Sequence, residues 1–317
     1  MKIVVTGGAG FIGANLCRSL VRHHDVVVLD DLSTGTAANL ADVGVELRVG
    51  SVLDADAVHA ACRGASAIVH LAAVPSVPRS LVNPRRSHDT NVTGTLTVLE
   101  AARQTGAHVV VASSSSVYGS NETMPKSEDM VCRPTSPYGV TKLAAESYAA
   151  AYRTSFGLDT VTFRFFNVFG PLQAPDHAYA AVIPAFLFAA LHDVPLTIHG
   201  DGDQSRDFTF VDSVVRVLTE AVTRRLTTTV PANLAFGTRT TLNEVVLMLS
   251  ELIGRPLPVR HQPARAGDIR HSQACPTTLR ALFPDVSPVP LRTGLLRTLT
   301  WMRHRSAALA IGTEVPA

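Results

Sequence analysis

Residues 2–13 read KIVVTGGAGFIG, and this stretch decides the fold. The run from Ile3 to Thr6 is rich in β-branched residues, as a buried strand requires. The glycines at 7, 10 and 13 permit a tight turn and the close approach of a pyrophosphate. Beyond them Ile12, Leu16 and Leu20 recur every four residues, the spacing of a helix face that covers a sheet. Gly7, Gly10 and Gly13 thus sit between a strand and the helix it feeds, the arrangement that cradles a dinucleotide.

A second strand, VVVLD from Val26, ends on Asp30, 23 positions beyond Gly7. A carboxylate there accepts hydrogen bonds from ribose hydroxyls and repels a 2′-phosphate. The following DLSTGT carries no Arg or Lys to neutralise such a phosphate, so the expected cofactor is NAD rather than its phosphorylated form.

Working outward, VELRV from Val45, AIVHL from Ala67, HVVVA from His108 and TVTFRF from Thr160 continue the strand series. Helix-period segments fall between them, including stretches near 88–105 and 138–156. The pattern is a doubly wound parallel α/β sheet. After Asn167, NVFGPLQAPDH and HGDGDQSRDF are rich in Gly, Pro and Asp and read as loops of a smaller domain. A run around Phe208–Val211 and ANLAF from Ala232 are both expected to rejoin the first sheet. That interleaves the domains, with 1–166 and 207–237 holding the cofactor and 167–206 and 238–317 holding the substrate.

The chain has 317 residues, 46% hydrophobic and 17% charged, so a packed core is expected and disorder is not. A net charge of +2 with no dense basic run argues against nucleic acid as a partner. No stretch approaches the length of a membrane span and MKIVVTGG has no leader-like pattern, which implies a cytoplasmic protein without membrane attachment. Cys17, Cys62, Cys132 and Cys275 are scattered, and His70, His88, His177, His199 and His271 lack ligand spacing, so no metal is expected.

Tyr138 and Lys142 form Y-x-x-x-K within SPYGVTK, one helical turn apart on a common face. A phenol titrating near 10 needs nearby positive charge to act as a base near neutrality, which the ammonium and an oxidised nicotinamide together provide. With three lysines against 25 arginines in the chain, a lysine at this spacing is a compositional surprise. Ser113, Ser114, Ser115 and Ser116 follow the fifth strand at its carboxyl end, where hydroxyls either orient a ligand or make a turn.

Together TGGAGFIG, the serine run ending in VYG, SPYGVTK and RFFNVFG resemble the extended short-chain dehydrogenases/reductases, specifically nucleotide-sugar 4-epimerases, from Met1 to about Phe283. The resemblance implies a Rossmann domain holding NAD and a smaller domain holding a UDP-sugar. It places Tyr138 as base, Lys142 as its helper and Ser114 as the catalytic hydroxyl. It adds Phe11, Ile12, Asp31, Ser51, Val52, Leu71, Ala72, Ala73, Asn91 and Phe165 to the cofactor positions, with Ser51 where similar enzymes often carry Asp. Ser76 matches a hexose contact, with Ser114 and Ser115 beside it. Asn167, Ala181, Val182, Arg206, Arg265 and Asp268 match positions holding the nucleotide. The two helices near 92–105 and 138–156 match a four-helix homodimer interface.

The implied reaction is reversible C4 epimerisation through a transient 4-keto sugar. Where related 4,6-dehydratases carry Asp and Glu this chain has Ser115 and Ser116, which disfavours elimination. Ser272 stands at a position whose small side chain leaves room for an N-acetyl group at C2. Pro75 in place of Gly, and Cys275 in place of Asp, leave N-acetylhexosamine, hexose and hexuronic acid open. A dehydratase, a 4-ketoreductase and a non-catalytic NAD-sensing protein are the competing readings.

Overall fold

The computed structural model describes residues 1–175, 181–264 and 269–310, the last five of these as backbone. Seven strands form one parallel sheet: β1 (Lys2–Thr6), β2 (Asp25–Asp30), β3 (Glu46–Val49), β4 (Ala67–His70), β5 (His108–Ser114), β6 (Thr160–Phe165) and β7 (Ala232–Leu234). Their order across the sheet is β7-β6-β5-β4-β1-β2-β3, so the chain adds β1 to β3 towards one edge and β4 to β7 towards the other, with β1 and β4 parallel neighbours. In open α/β sheets the crevice at the carboxyl ends beside such a reversal of strand order is where ligands bind.

Alternation along the strands explains both layers of helices. Ile3 and Val5 point into one core with Val26 and Val28, where Leu16 and Leu20 of α1 (Phe11–Leu20) meet them. Val4, Val27 and Leu29 point into the other. That second core is closed by α2 (Ala55–Cys62), α3 (Gly94–Thr105) and α4 (Pro137–Phe156). Strands buried on both faces read as continuous apolar runs, which is why β1, β2, β4, β5 and β6 are recognisable, whereas β3, an edge strand reading ELRV, is only partly buried.

The expectations for the later elements divide. Ala232–Leu234 does join the sheet, parallel to β6. The run around Phe208–Val211 does not: Thr209–Phe210 pairs with Val168–Phe169 in a separate two-stranded ladder. Its aromatic rings cluster with the partner strand, Phe169 lying 5.5 Å from Phe210 and 6.3 Å from Phe208, within the core on one face of the sheet. The helical stretch near 88–105 is also less regular than its period suggests. A turn of π-helix, Asp89–Thr93, precedes α3. Among the described residues no helix is long and apolar enough to cross a membrane.

Candidate active site

The turn after β1 is built by contact. Gly7 has φ of 71°, and a Cβ there would lie 2.6 Å from the backbone nitrogen of Ala72. A Cβ on Gly13 would lie 2.3 Å from the carbonyl oxygen of Gly7. Gly10 caps α1 with no side-chain hydrogen bond. The first intrahelical bond is from Ala14 to Gly10, so the amides of residues 11–13 have no helical acceptor.

Asp30 closes the other side of this turn. Its carboxylate accepts from the backbone nitrogen of Ala9 at 2.9 Å and from that of Leu32 at 2.8 Å. Burial raises its pKa, against the pull of those two donors. The loop beyond it is pinned to the turn, because Asn39 donates to the carbonyl of Ala9 at 2.9 Å and Thr36 does so through its backbone.

The reactive pair is set by helix capping. Ser136 accepts from the backbone nitrogen of Gly139 at 3.1 Å and Pro137 opens α4, which fixes Tyr138 and Lys142 in the first two turns. Buried Ser80 accepts from the backbone nitrogen of Tyr138 at 3.1 Å. Lys142 is buried and donates to the carbonyl of Ala112 at 2.8 Å, with its Nζ 6.0 Å from the centre of the Tyr138 ring. Burial pulls its ammonium down to about 8, opposed by the charge of Glu146.

Burial likewise pushes the Tyr138 phenol up, while its hydrogen bond with Ser114 pulls it down. Burial prevails, so the phenol lies above its ordinary value, with the Ser114 hydrogen bond opposing that rise. Ser113 and Ser114 are the last two residues of β5, and Ser115 starts the short turn after it. Ser114 faces the cleft, whereas Ser113 also turns to the carboxylate of Glu146.

One cleft of about 1330 Å³ runs along the carboxyl ends of the strands. It is lined by Gly7, Gly10, Phe11, Ile12, Gly13, Asp30, Asp31, Val52, Leu71, Ala72, Ala73 and Phe165, and by Ser114, Tyr138 and Lys142. Ser76, Asn167 and Ala181 line the same cleft. Ser51 instead borders a neighbouring hollow that it shares with Asp31, Arg85 and Arg86.

The structure does not bring every expected residue to the wall. Asn91 is buried behind it, bracing the backbone of Val74 in both directions and donating to Thr141 at 3.0 Å. Ser115, Val182, Arg206 and Ser272 also lie off the lining. Arg206 belongs to a basic group: Arg239 donates to Ser205 Oγ, which is 2.9 Å from His271 Nδ1, and Arg270 is adjacent. Burial and then the charges of Arg239, Arg270 and Arg206 lower the pKa of His271. Arg265, Asp268 and His177 lie outside the described residues.

A model of the NAD dependent epimerase/dehydratase family matches residues 3–233. The chain belongs to this family. A UDP-glucose 4-epimerase of Mycolicibacterium smegmatis is 37% identical, covering 96% of this chain and all of the relative. A solved UDP-N-acetylglucosamine 4-epimerase of Methanobrevibacter ruminantium, in complex with UDP-N-acetylmuramic acid, superposes with a TM-score of 0.91 at 33% identity. That match covers 96% of this chain and 98% of the other. A Thermus thermophilus UDP-glucose 4-epimerase in complex with NAD gives a TM-score of 0.86 at 33% identity, covering 96% and 99%.

NAD is the family's cofactor, and the residues present fit it. The amides at the uncapped start of α1 suit a pyrophosphate, and the turn has no room for side chains at Gly7 and Gly13. Asp30 faces the same cleft with acceptor capacity for ribose hydroxyls.

This family member also has lining residues that sequence reasoning missed. Ser33, Thr34 and Thr36 sit in the DLSTGT loop, which was read only for the charges it lacks. Arg79 lies three residues past Ser76, inside the quoted AAVPSVPRS, and was passed over. Trp301, His304 and Arg305 reach the cleft from α5 (Leu291–Ala310). Nothing local marks them, apart from Trp301 being the only tryptophan in the chain.

Proposed function

We propose that the chain catalyses reversible C4 epimerisation of a UDP-sugar, with UDP-N-acetylglucosamine and UDP-glucose as the favoured kinds of substrate. The observation that carries this is the convergence of Ser114, Tyr138 and Lys142 on one cleft whose far wall is the Gly-rich turn and Asp30. The relatives named above are UDP-sugar 4-epimerases, which supports the same reading.

Held by the turn at Gly7, Gly10 and Gly13 and by Asp30, NAD would supply reversible hydride acceptance at the sugar's C4, so that no net redox change would result. The chain's own groups handle the proton and the geometry. Tyr138 removes the proton of the C4 hydroxyl and later returns it. Ser114 holds that hydroxyl in line with the phenol. Lys142, anchored on Ala112, supplies positive charge that favours the phenolate. Asn167, Ala181, Val182 and Asp268 are assigned to the nucleotide, and Arg206 and Arg265 to its diphosphate, for which a guanidinium fork donates two hydrogen bonds. Ser76, on the cleft wall, would meet the hexose, with Ser115 and Ser272 set back from the lining, and a light grip there would let the ketone present its opposite face.

We further propose a homodimer acting in the cytoplasm. It would pair α3 and α4 with the same two helices of a second copy, and Val140 and Tyr148 on α4 are apolar side chains left 53% and 38% exposed. The test of the activity is incubation with UDP-N-acetylglucosamine, UDP-glucose and UDP-glucuronic acid, followed by chromatographic separation of C4 epimers. Interconversion of at least one pair without net change in NADH is expected. Absence of any epimer, or accumulation of a 4-keto product, overturns the proposal.

A further inference from the structure

His70, at the end of β4, is 4% exposed and belongs to none of the roles above. Its ring bridges two threonines. Nδ1 lies 2.7 Å from Thr6 Oγ1, and Nε2 lies 3.0 Å from Thr95 Oγ1. The protons on this bridge can be assigned by elimination. Thr95 Oγ1 is 2.6 Å from the carbonyl oxygen of Asn91, which can only accept, so the Thr95 hydroxyl donates there. Thr95 must then accept from His70, and Nε2 carries a hydrogen.

At the other end, Thr6 Oγ1 accepts from the backbone nitrogen of Ala72 at 3.3 Å. Its own hydrogen is free to go to His70 Nδ1, which has a lone pair only in the neutral ring. Complete burial and the neighbouring charge of Lys142 hold the imidazole neutral, with its pKa pulled down to about 3.

The chain of bonds continues at both ends. Ala72 packs against Gly7, where even a methyl group would clash. Asn91 exchanges hydrogen bonds with the backbone of Val74 and donates to Thr141, whose hydroxyl donates to the carbonyl of Tyr138 at 2.8 Å. A single directed series thus runs from the cofactor turn to the residue assigned as base.

We propose that His70 is a positioning residue, held as the neutral Nε2–H tautomer, which locks the cofactor turn and the start of α4 into one register. This rests on the reading of the cleft as the NAD and sugar site. His70 touches neither ligand and acts through Ala72 on one side and through Thr95, Asn91 and Thr141 on the other.

Two measurements test it. The first is the ¹⁵N spectrum of assigned His70 in the intact protein at neutral pH, where Nε2 should be protonated and Nδ1 bare. A protonated Nδ1 or an imidazolium overturns the assignment. The second compares Thr95→Val with Thr95→Ser. The valine fills the same space but leaves His70 Nε2–H without its acceptor. Its NAD dissociation constant should rise and kcat fall by about five- to a hundred-fold, the range for stranding a buried polar group.

KM for the sugar should stay unchanged in Thr95→Val, and serine should restore both affected quantities. A folded Thr95→Val with normal NAD affinity and kcat overturns the proposal. If that variant fails to fold, the tautomer in the unaltered protein decides. Neither the spectrum nor the NAD titration needs a sugar. Failure to epimerise any UDP-sugar would therefore leave this inference standing, and failure here would leave the epimerase reading standing.

Discussion

The amine of Lys142 donates to the carbonyl of Ala112 and stands 6.0 Å from the centre of the Tyr138 ring. Two elements thereby fix one charge: β5 supplies the carbonyl, and the first two turns of α4 supply both side chains. The separation of ammonium and phenol is consequently set by how α4 packs on the sheet, a packing built from Ala145, Ala149 and Tyr152 against Val109 and Val111. The catalytic geometry depends on core packing as much as on the Y-x-x-x-K spacing.

Tyr138→Phe keeps the ring and removes only the proton acceptor. Turnover should fall by about 10²–10⁴-fold, the usual contribution of a positioned acid–base group. NAD binding, measured by titration without sugar, should be preserved. Wild-type turnover in this variant would remove Tyr138 from the mechanism.

Lys142→Met should separate activity from stability. A buried ammonium with its pKa lowered to about 8 is protonated more readily in the unfolded chain, where lysine titrates near 10.4. Between those values the unfolded state binds more protons, so stability rises with pH across the window. Below about pH 8 the charged amine opposes folding. The variant should lose turnover yet resist urea as well as or better than the wild type at pH 7, with its advantage shrinking from pH 8 towards 10. A constant difference across that range would contradict the argument.

Asp30→Ala removes the acceptor of the Ala9 and Leu32 amides together with the group facing the ribose. The NAD dissociation constant should rise by at least about tenfold, the equivalent of one charged hydrogen bond. Binding of UDP alone, followed by calorimetry, should be unaffected, because Asp30 is assigned to the ribose of NAD and not to the nucleotide of the sugar.

Five of the strands and the cofactor turn were legible because central strands buried on both faces leave continuous β-branched runs, and because close contacts at Gly7 and Gly13 admit no side chain. Thr209–Phe210 misled because a two-residue ladder held by Phe169 and Phe208 has the composition of a sheet strand. Asn91 was found by resemblance, but its buried bracing role depends on a π turn that helical periodicity does not reveal. Trp301, His304 and Arg305 reach the cleft only through the long-range docking of α5, which no local pattern encodes.

Beneath the serine run, Glu146 and Arg164 form a buried ion pair at 2.8 Å, with side chains 4% and 5% exposed. Glu146 also accepts from Ser113, and Arg164 donates to the hydroxyl of Tyr118, which in turn donates to Asn233 on β7 at 2.7 Å. Removing one partner strands the other, so Arg164→Met should cost about 3–5 kcal/mol in urea denaturation. Exchanging both for apolar groups, Glu146→Leu with Arg164→Met, should cost less than the single change, because no uncompensated charge remains. The double variant also deletes the carboxylate that raises the pKa of Lys142. Its lysine should therefore titrate below that of the wild type, visible as a stability gain with pH that begins lower. If the double variant is as unstable as the single one, the pair stabilises the fold through its hydrogen bonds rather than by mutual neutralisation.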